Sequence, residues 1–261
     1  MITALSTAAT GMEAQQTKID VIANNLANVN TTGFKKSRAD FQDLLYQDSR
    51  IVGSQATQDT EIPTGTQVGH GVRLAGVSKI YSTGDISKTG NELDMAIEGP
   101  GFFRIRMPDG ETAYTRAGAF KLDGEGRIVT SDGHPLASEM AVPEGTTEIS
   151  VGQDGTVTAF TGDNQQGEQL GTIELARFTN PAGLESLGSN LHQDTPSSGE
   201  ALVNLPGQNG LGSLAQGYLE DSNVSTMKEM VNMISAQRAY ETNSKAVQAA
   251  DTMLQTTNRM A

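Results

Sequence analysis

The stretch that decides the architecture is the C-terminal one, VSTMKEMVNMISAQRAYETNSKAVQAADTMLQTTNRMA, residues 224–261. It contains neither Gly nor Pro, the two residues least compatible with a helix interior. Met233, Ala236, Tyr240, Asn243, Val247, Ala250 and Leu254 recur at alternating spacings of three and four. That spacing predicts one long helix with a narrow heptad seam. Upstream, Met227, Met230, Val231 and Ile234 add a second apolar stripe. At about 1.5 Å of rise per residue the segment can reach about 57 Å, more than one small β domain can cover.

The other end of the chain repeats the pattern. Ile2, Leu5, Ala9, Met12, Gln16, Ile19, Ala23 and Leu26 follow the same spacing, with only Gln16 interrupting the apolar line, and predict a helix over residues 1–30. Its remaining faces are Thr, Ala, Gln and Asn with few charges, unlike a solvated helix laced with Glu–Lys pairs. Asn30-Thr31-Thr32-Gly33 supplies a polar stop ending in a glycine suited to left-handed geometry. Because the chain leaves by one helix and returns by the other, the two can lie side by side and antiparallel. The expected class is therefore α+β, with a discontinuous coiled-coil-like domain from residues 1–45 and 223–261.

Between the helices the composition changes twice. Residues 34–46 read as a short helix or an extended arm. Residues 46–66 are rich in Gln, Ser, Thr and Asp and read as a polar arm or linker. Residues 67–222 read as a β-rich body: Phe103, Ile105 and Met107 alternate with Arg104 and Arg106, and Asp-Gly pairs recur at 109–110, 123–124, 132–133 and 154–155. Such pairs favour tight hairpin turns with positive φ, so antiparallel strands are expected. Segment 180–217, rich in Gly, Asn, Ser and Pro, predicts loops.

The 261-residue chain carries a net charge of −13, which repels phosphate backbones and anionic membranes, so nucleic acid is not an expected partner. Both predicted helices are close to neutral, and the middle of the chain carries the acid. No run of 18 apolar residues is present, and Met1-Ile2-Thr3-Ala4 lacks the basic start of a cleaved signal peptide. Residence in the cytosol, or export without cleavage, is the expectation. With no Cys there is no disulfide framework and no thiolate site.

The usual chemical motifs fail on their spacing. His70, His134 and His192 are far apart in sequence and form no ligand-spaced pair, so no metal site is expected. Gly69-His70-Gly71 and Gly99-Pro100-Gly101 lack the third glycine of a dinucleotide loop, where Leu74 and Arg104 stand instead. Asp123-Gly124-Glu125-Gly126 has Ile128 at the glycine position of a calcium loop and reads as a turn. Gly183-Leu184-Glu185-Ser186-Leu187-Gly188 has one residue too many before the serine for a nucleophile elbow. No enzyme activity and no cofactor are expected. The positive signal is the pair of low-charge helices, which predicts a subunit that stacks head to tail into an open helical polymer and gains order at its ends on assembly. Two other readings are a closed intramolecular helical hairpin and a secreted glycan- or peptidoglycan-acting β domain with helical tails.

The segment Asn24-Asn25-Leu26-Ala27-Asn28-Val29-Asn30-Thr31-Thr32-Gly33-Phe34-Lys35 resembles the N-terminal signature of the bacterial flagellar rod and hook family. The resemblance continues through Glu98-Gly99-Pro100-Gly101-Phe102-Phe103, Tyr114-Thr115-Arg116-Ala117-Gly118-Ala119-Phe120 and Ser235-Ala236-Gln237-Arg238-Ala239-Tyr240-Glu241-Thr242-Asn243. Length and Ile62-Pro63-Thr64-Gly65-Thr66-Gln67-Val68-Gly69 point within the family to its distal rod branch, with proximal rod and hook-type subunits as alternatives. The resemblance implies a structural subunit of the flagellar drive shaft in the basal body, spanning the periplasm and exported by the flagellar type III apparatus without a cleaved signal. Implied partners are further copies of the chain, proximal rod proteins, the hook protein and the surrounding P- and L-ring proteins. It also implies that the terminal helices form an inner tube through Ile2, Leu5, Met12, Ile19, Leu26, Met233, Tyr240, Val247 and Leu254. The β body lies outside that tube, and the 46–66 arm wedges between neighbours. The signature residues carried over are Asn24, Asn25, Leu26, Asn28, Thr32, Gly33 and Phe34.

Overall fold

A computed structural model describes residues 2–50, 55–57, 60–61, 65–138, 140–162 and 164–260. Two helices bracket the chain, α1 at Ile2–Ala27 and α2 at Thr226–Met260, and the strands between them pair antiparallel. The fold is α+β. Ile62–Thr64, part of the segment that pointed to the distal rod branch, lies outside the described residues.

The chain divides into two compact units. One holds residues 1–26, 37–78 and 225–261; the other holds residues 27–36 and 79–224. Residues 67–78, which composition grouped with the β body, thus cluster with the helices, and residues 27–36 cluster with the β unit.

In the helical unit, the described residues of 37–78 include β ribbons. Ser37–Asp43 pairs with Val72–Lys79, which makes the 34–46 stretch extended. Tyr46–Arg50 pairs with Thr66–Gly69, aligning Tyr46 with Gly69 and Gln47 with Val68. A polar linker composition therefore conceals a hairpin: alternating side chains with no dry face carry no hydrophobic signal, while the backbone pairing does not need one.

The β unit is built around Phe102–Arg106, the centre of a six-stranded sheet. The order is Glu185–Gly188, Leu191–Gln193, Thr112–Thr115, Phe102–Arg106, Leu175–Arg177, Leu202–Asn204. Successive strand residues point to opposite faces, so the adjacent Phe102 and Phe103 seed separate cores. Phe103 and Ile105 pack with Met95, Phe120, Ile149, Val157 and Leu175, which brings in the three-stranded meander of Thr146–Val151, Thr156–Thr161 and Asn164–Thr172. Phe102 packs with Tyr114, Ala176, Phe178 and Leu184 on the other face. The expected alternation holds from Phe103 outward and fails at Phe102 because this strand is covered on both sides.

Two details refine the sequence reading. The turns at 109–110, 132–133 and 154–155 do place Gly110, Gly133 and Gly155 at positive φ, but at 123–126 the left-handed residue is Gly126, not Gly124. Asp123 makes the reason visible: its Oδ1 accepts from the amides of Glu125 and Arg127, lengthening the turn. Segment 180–217 is loop and turn over most of its length, as its composition predicts, but not throughout. It contributes Glu185–Gly188, Leu191–Gln193, Leu202–Asn204 and Ser213–Gln216, short strands set between its turns.

Candidate functional site

The helical unit presents the first candidate surface. On α1, Leu5, Met12, Ile19 and Leu26 are half-buried, whereas Ala9, Gln16 and Ala23 of the same seam are exposed; the side chain of Ile2 lies outside the described residues. The fully buried residues are Ala14, Ile22 and Asn25, on a neighbouring line. That line carries Gly11, where a Cβ would sit 2.8 Å from Asn243 Nδ2 of α2. Gly11 thus lies against the Asn243 side chain of α2, and the larger side chains of the seam are left half-covered. Periodicity found the helix but favoured bulk over closeness.

On α2, Met233, Asn243, Val247, Ala250 and Leu254 are half-buried, Ala236 is buried and Tyr240 is exposed. The second stripe is different. Met227 is 78% exposed, Val231 62%, Met230 52% and Ile234 49%. A run of large apolar side chains one helical turn apart and open to water is a candidate interaction surface.

The signature segment spans the unit boundary and splits into two tasks. Asn25, fully buried, donates from Nδ2 to Ser37 O at 2.9 Å and accepts at Oδ1 from Ser37 N at 2.8 Å, so its amide pairs with the backbone as a strand would. Thr31 Oγ1 donates to Asn28 Oδ1 at 3.2 Å, tightening the turn after α1. Leu26, Asn28, Thr32 and Phe34 are half-buried and Asn24 is exposed. Gly33 is buried at φ +70°, and a Cβ there would lie 2.6 Å from Ala117 N, so only glycine fits.

Beyond it lies a charged cluster that sequence reasoning missed. Lys35 Nζ meets Glu220 Oε1 at 2.5 Å, Arg116 Nη1 meets Glu220 Oε2 at 3.2 Å, and the side chains of Lys35 and Glu220 are 0% exposed. Ser82 O takes a further hydrogen bond from Lys35 Nζ at 2.8 Å, Gly99 O takes one from Arg116 Nη2 at 2.6 Å, and Gly84 N donates to Glu220 Oε1 at 2.9 Å. The guanidinium also lies over the Phe102 ring, 5.6 Å from its centroid. Burial pushes the Lys35 ammonium below its usual range, and the Glu220 carboxylate opposes that shift. Two cations around one carboxylate, each hydrogen-bonded, can position chain segments but offer no free base or nucleophile.

Catalytic chemistry finds little footing elsewhere. Ser186 Oγ lies 3.3 Å from His192 Nδ1, but that ring is buried edge-on against Tyr81 and Phe102. Burial, with the nearby Lys79 charge, pushes His192 down to about 4, making it a weak base. Among the described residues no group of His, Asp and Glu is placed to hold a metal ion, and no helix is long and apolar enough to cross a membrane.

Three sequence families match the chain: flagella basal body rod protein over residues 5–35, flagellar hook protein FlgE/F/G D1 domain over 96–159, and flagellar basal body rod FlgEFG protein C-terminal over 215–260. The flagellar basal-body rod protein FlgG of Buchnera aphidicola subsp. Schizaphis graminum is 49% identical over 255 residues, 98% of each chain. That of Borreliella burgdorferi is 48% identical over 262 residues, covering 100% of this chain and 99% of its own. The chain belongs to the flagellar basal-body rod protein FlgG family. The likeness runs further, at 31% identity over 269 residues, to the flagellar hook-basal body complex protein FlhP of Bacillus subtilis. The three matched regions of this FlgG-family chain hold one member each of the buried cluster: Lys35, Arg116 and Glu220.

Proposed function

We propose that this chain is a structural subunit of the distal rod of the bacterial flagellum, polymerising into a helical tube that carries torque from motor to hook. The observation that carries the proposal is the exposed stripe Met227, Met230, Val231 and Ile234 on a 35-residue helix. In water that stripe costs solvation free energy, and a neighbouring copy removes it: at about 25 cal/mol per Å² of apolar surface, each covered side chain contributes about 1–2 kcal/mol. The terminal helices, including Ile2, Leu5, Met12, Ile19, Leu26, Met233, Tyr240, Val247 and Leu254, form the assembly domain. The ribbon within 46–66 serves as an arm between neighbours, and the β-rich remainder up to residue 222 is the body. Torque asks for many contacts sheared together, not for a catalytic group, so the role is structural.

The same reading extends to the surroundings. The subunit meets proximal rod proteins below, the hook protein above and P- and L-ring proteins around it. It crosses the periplasm after export through the flagellar type III apparatus, with no cleaved signal peptide. Electron microscopy of concentrated, purified full-length protein tests the proposal: open tubes are expected, and discrete particles at every concentration would overturn it.

A further inference from the structure

The chain passes between the two units four times, and the two crossings that adjoin a helix lie after Leu26 and after Val224. Both crossings are stitched at the same place. On the incoming segment, Gly33 N donates to Glu220 O at 2.8 Å and Lys36 N donates to Asn223 Oδ1 at 2.8 Å. On the outgoing segment, Asn223 Nδ2 donates to Ile80 O at 2.8 Å and to Ser82 O at 3.1 Å. Ile80 N closes the loop by donating to Lys36 O at 2.9 Å. At the centre sit Lys35, Glu220 and Arg116, partners separated by 185 and 104 residues in sequence.

A buried ion cluster is a poor source of net stability, because desolvating the charges costs about as much as their attraction returns. Its strength is discrimination: a buried ammonium or carboxylate left without an opposite charge is strongly disfavoured, so the cluster fixes which segments meet. The apolar cores around Phe102 and Phe103 could hold the sheet without it. What those cores cannot do is pin residues 31–36, which add no large fully buried apolar side chain.

We infer that Lys35, Arg116 and Glu220 are positioning residues that tie the incoming and outgoing crossings into one knot, so that a pull or twist on either helical tail enters the β unit through both crossings together. The load rests on the rod-subunit reading; the tie does not. Without it, strain on α1 would peel residues 27–36 from the unit, starting at Gly33.

Hydrogen exchange on the full-length chain, kept dilute and monomeric, tests the tie. Lys35→Met leaves Arg116 and Glu220 as a balanced pair. It is expected to raise exchange at the amides of Gly33, Lys36, Ile80 and Gly84 by about tenfold or more. The amides of Phe102–Arg106 and Thr112–Thr115 should not change. Glu220→Gln keeps the size of the side chain but leaves two buried cations, and it should open the same four amides further. Unchanged protection at those four in both variants, or a uniform rise across the sheet, would overturn the tie. For the load, Lys35→Met tubes should twist or bend more readily than wild-type tubes, and equal stiffness would overturn that half. If the wild-type chain forms no tubes, the rod reading and the load fall together while the exchange result stands.

Discussion

The β unit withdraws two cations and a carboxylate from water and pairs them with one another, while the helical unit leaves four large apolar side chains of α2 standing in it. One region closes on itself even where closure is electrostatically expensive; the other stops short where closure would be cheap. The difference assigns the work. A unit with its cores closed keeps its shape alone, and a helix with an uncovered stripe keeps apolar surface in water until a partner removes it, a role the proposed function gives to another copy.

Substitutions can break this contrast from the closed side first. Phe103→Ala hollows the main core and should destabilise the β unit by about 3–5 kcal/mol in chemical unfolding. A loss under about 1 kcal/mol would mean that the core is not held as described. Acid is next. His192 sits near 4 in the folded chain against an ordinary 6.5, so the unfolded chain takes up the proton first. Its stability contribution is whole above about 6.5 and falls as the pH drops toward about 4, by about 3 kcal/mol in all. His192→Leu should flatten the unfolding curve across that window; an unchanged slope would remove His192 from the account.

Smaller effects sharpen the same contrast. Asn25→Ala unpairs the amide and carbonyl of Ser37 and should cost about 1–3 kcal/mol. The expected readout is faster exchange at Ser37 with the six-stranded sheet unchanged. Ile234→Asp lies at the far end: on the exposed stripe it should move the stability of the lone chain by no more than about 0.5 kcal/mol. A larger loss would mean that the stripe is already covered within one chain.

Much of this was legible in the sequence because it is local. The spacing through Met233, Ala236, Tyr240 and Asn243 needs only the pitch of a helix, and the alternation through Phe103 and Ile105 needs only the pleat of a strand. The buried line of α1 was not legible, because Gly11 and Ala14 carry little hydrophobic weight. Nor were the strands inside 180–217, where Leu191–Gln193, Leu202–Asn204 and Ser213–Gln216 pair with strands outside the segment. The charged cluster was half-visible: Lys35 and Arg116 each lie in a signature segment, but Glu220 lies in none, and a separation of 185 residues leaves no pattern joining it to Lys35.

The central claim is that the uncovered stripe of α2 is where copies meet. Wild-type and Ile234→Asp chains, concentrated side by side and followed by light scattering with electron microscopy of the product, test it most directly. The account predicts tubes from the wild-type chain and a folded, equally stable monomer from the variant. Tubes from both in equal yield, or from neither, would contradict it.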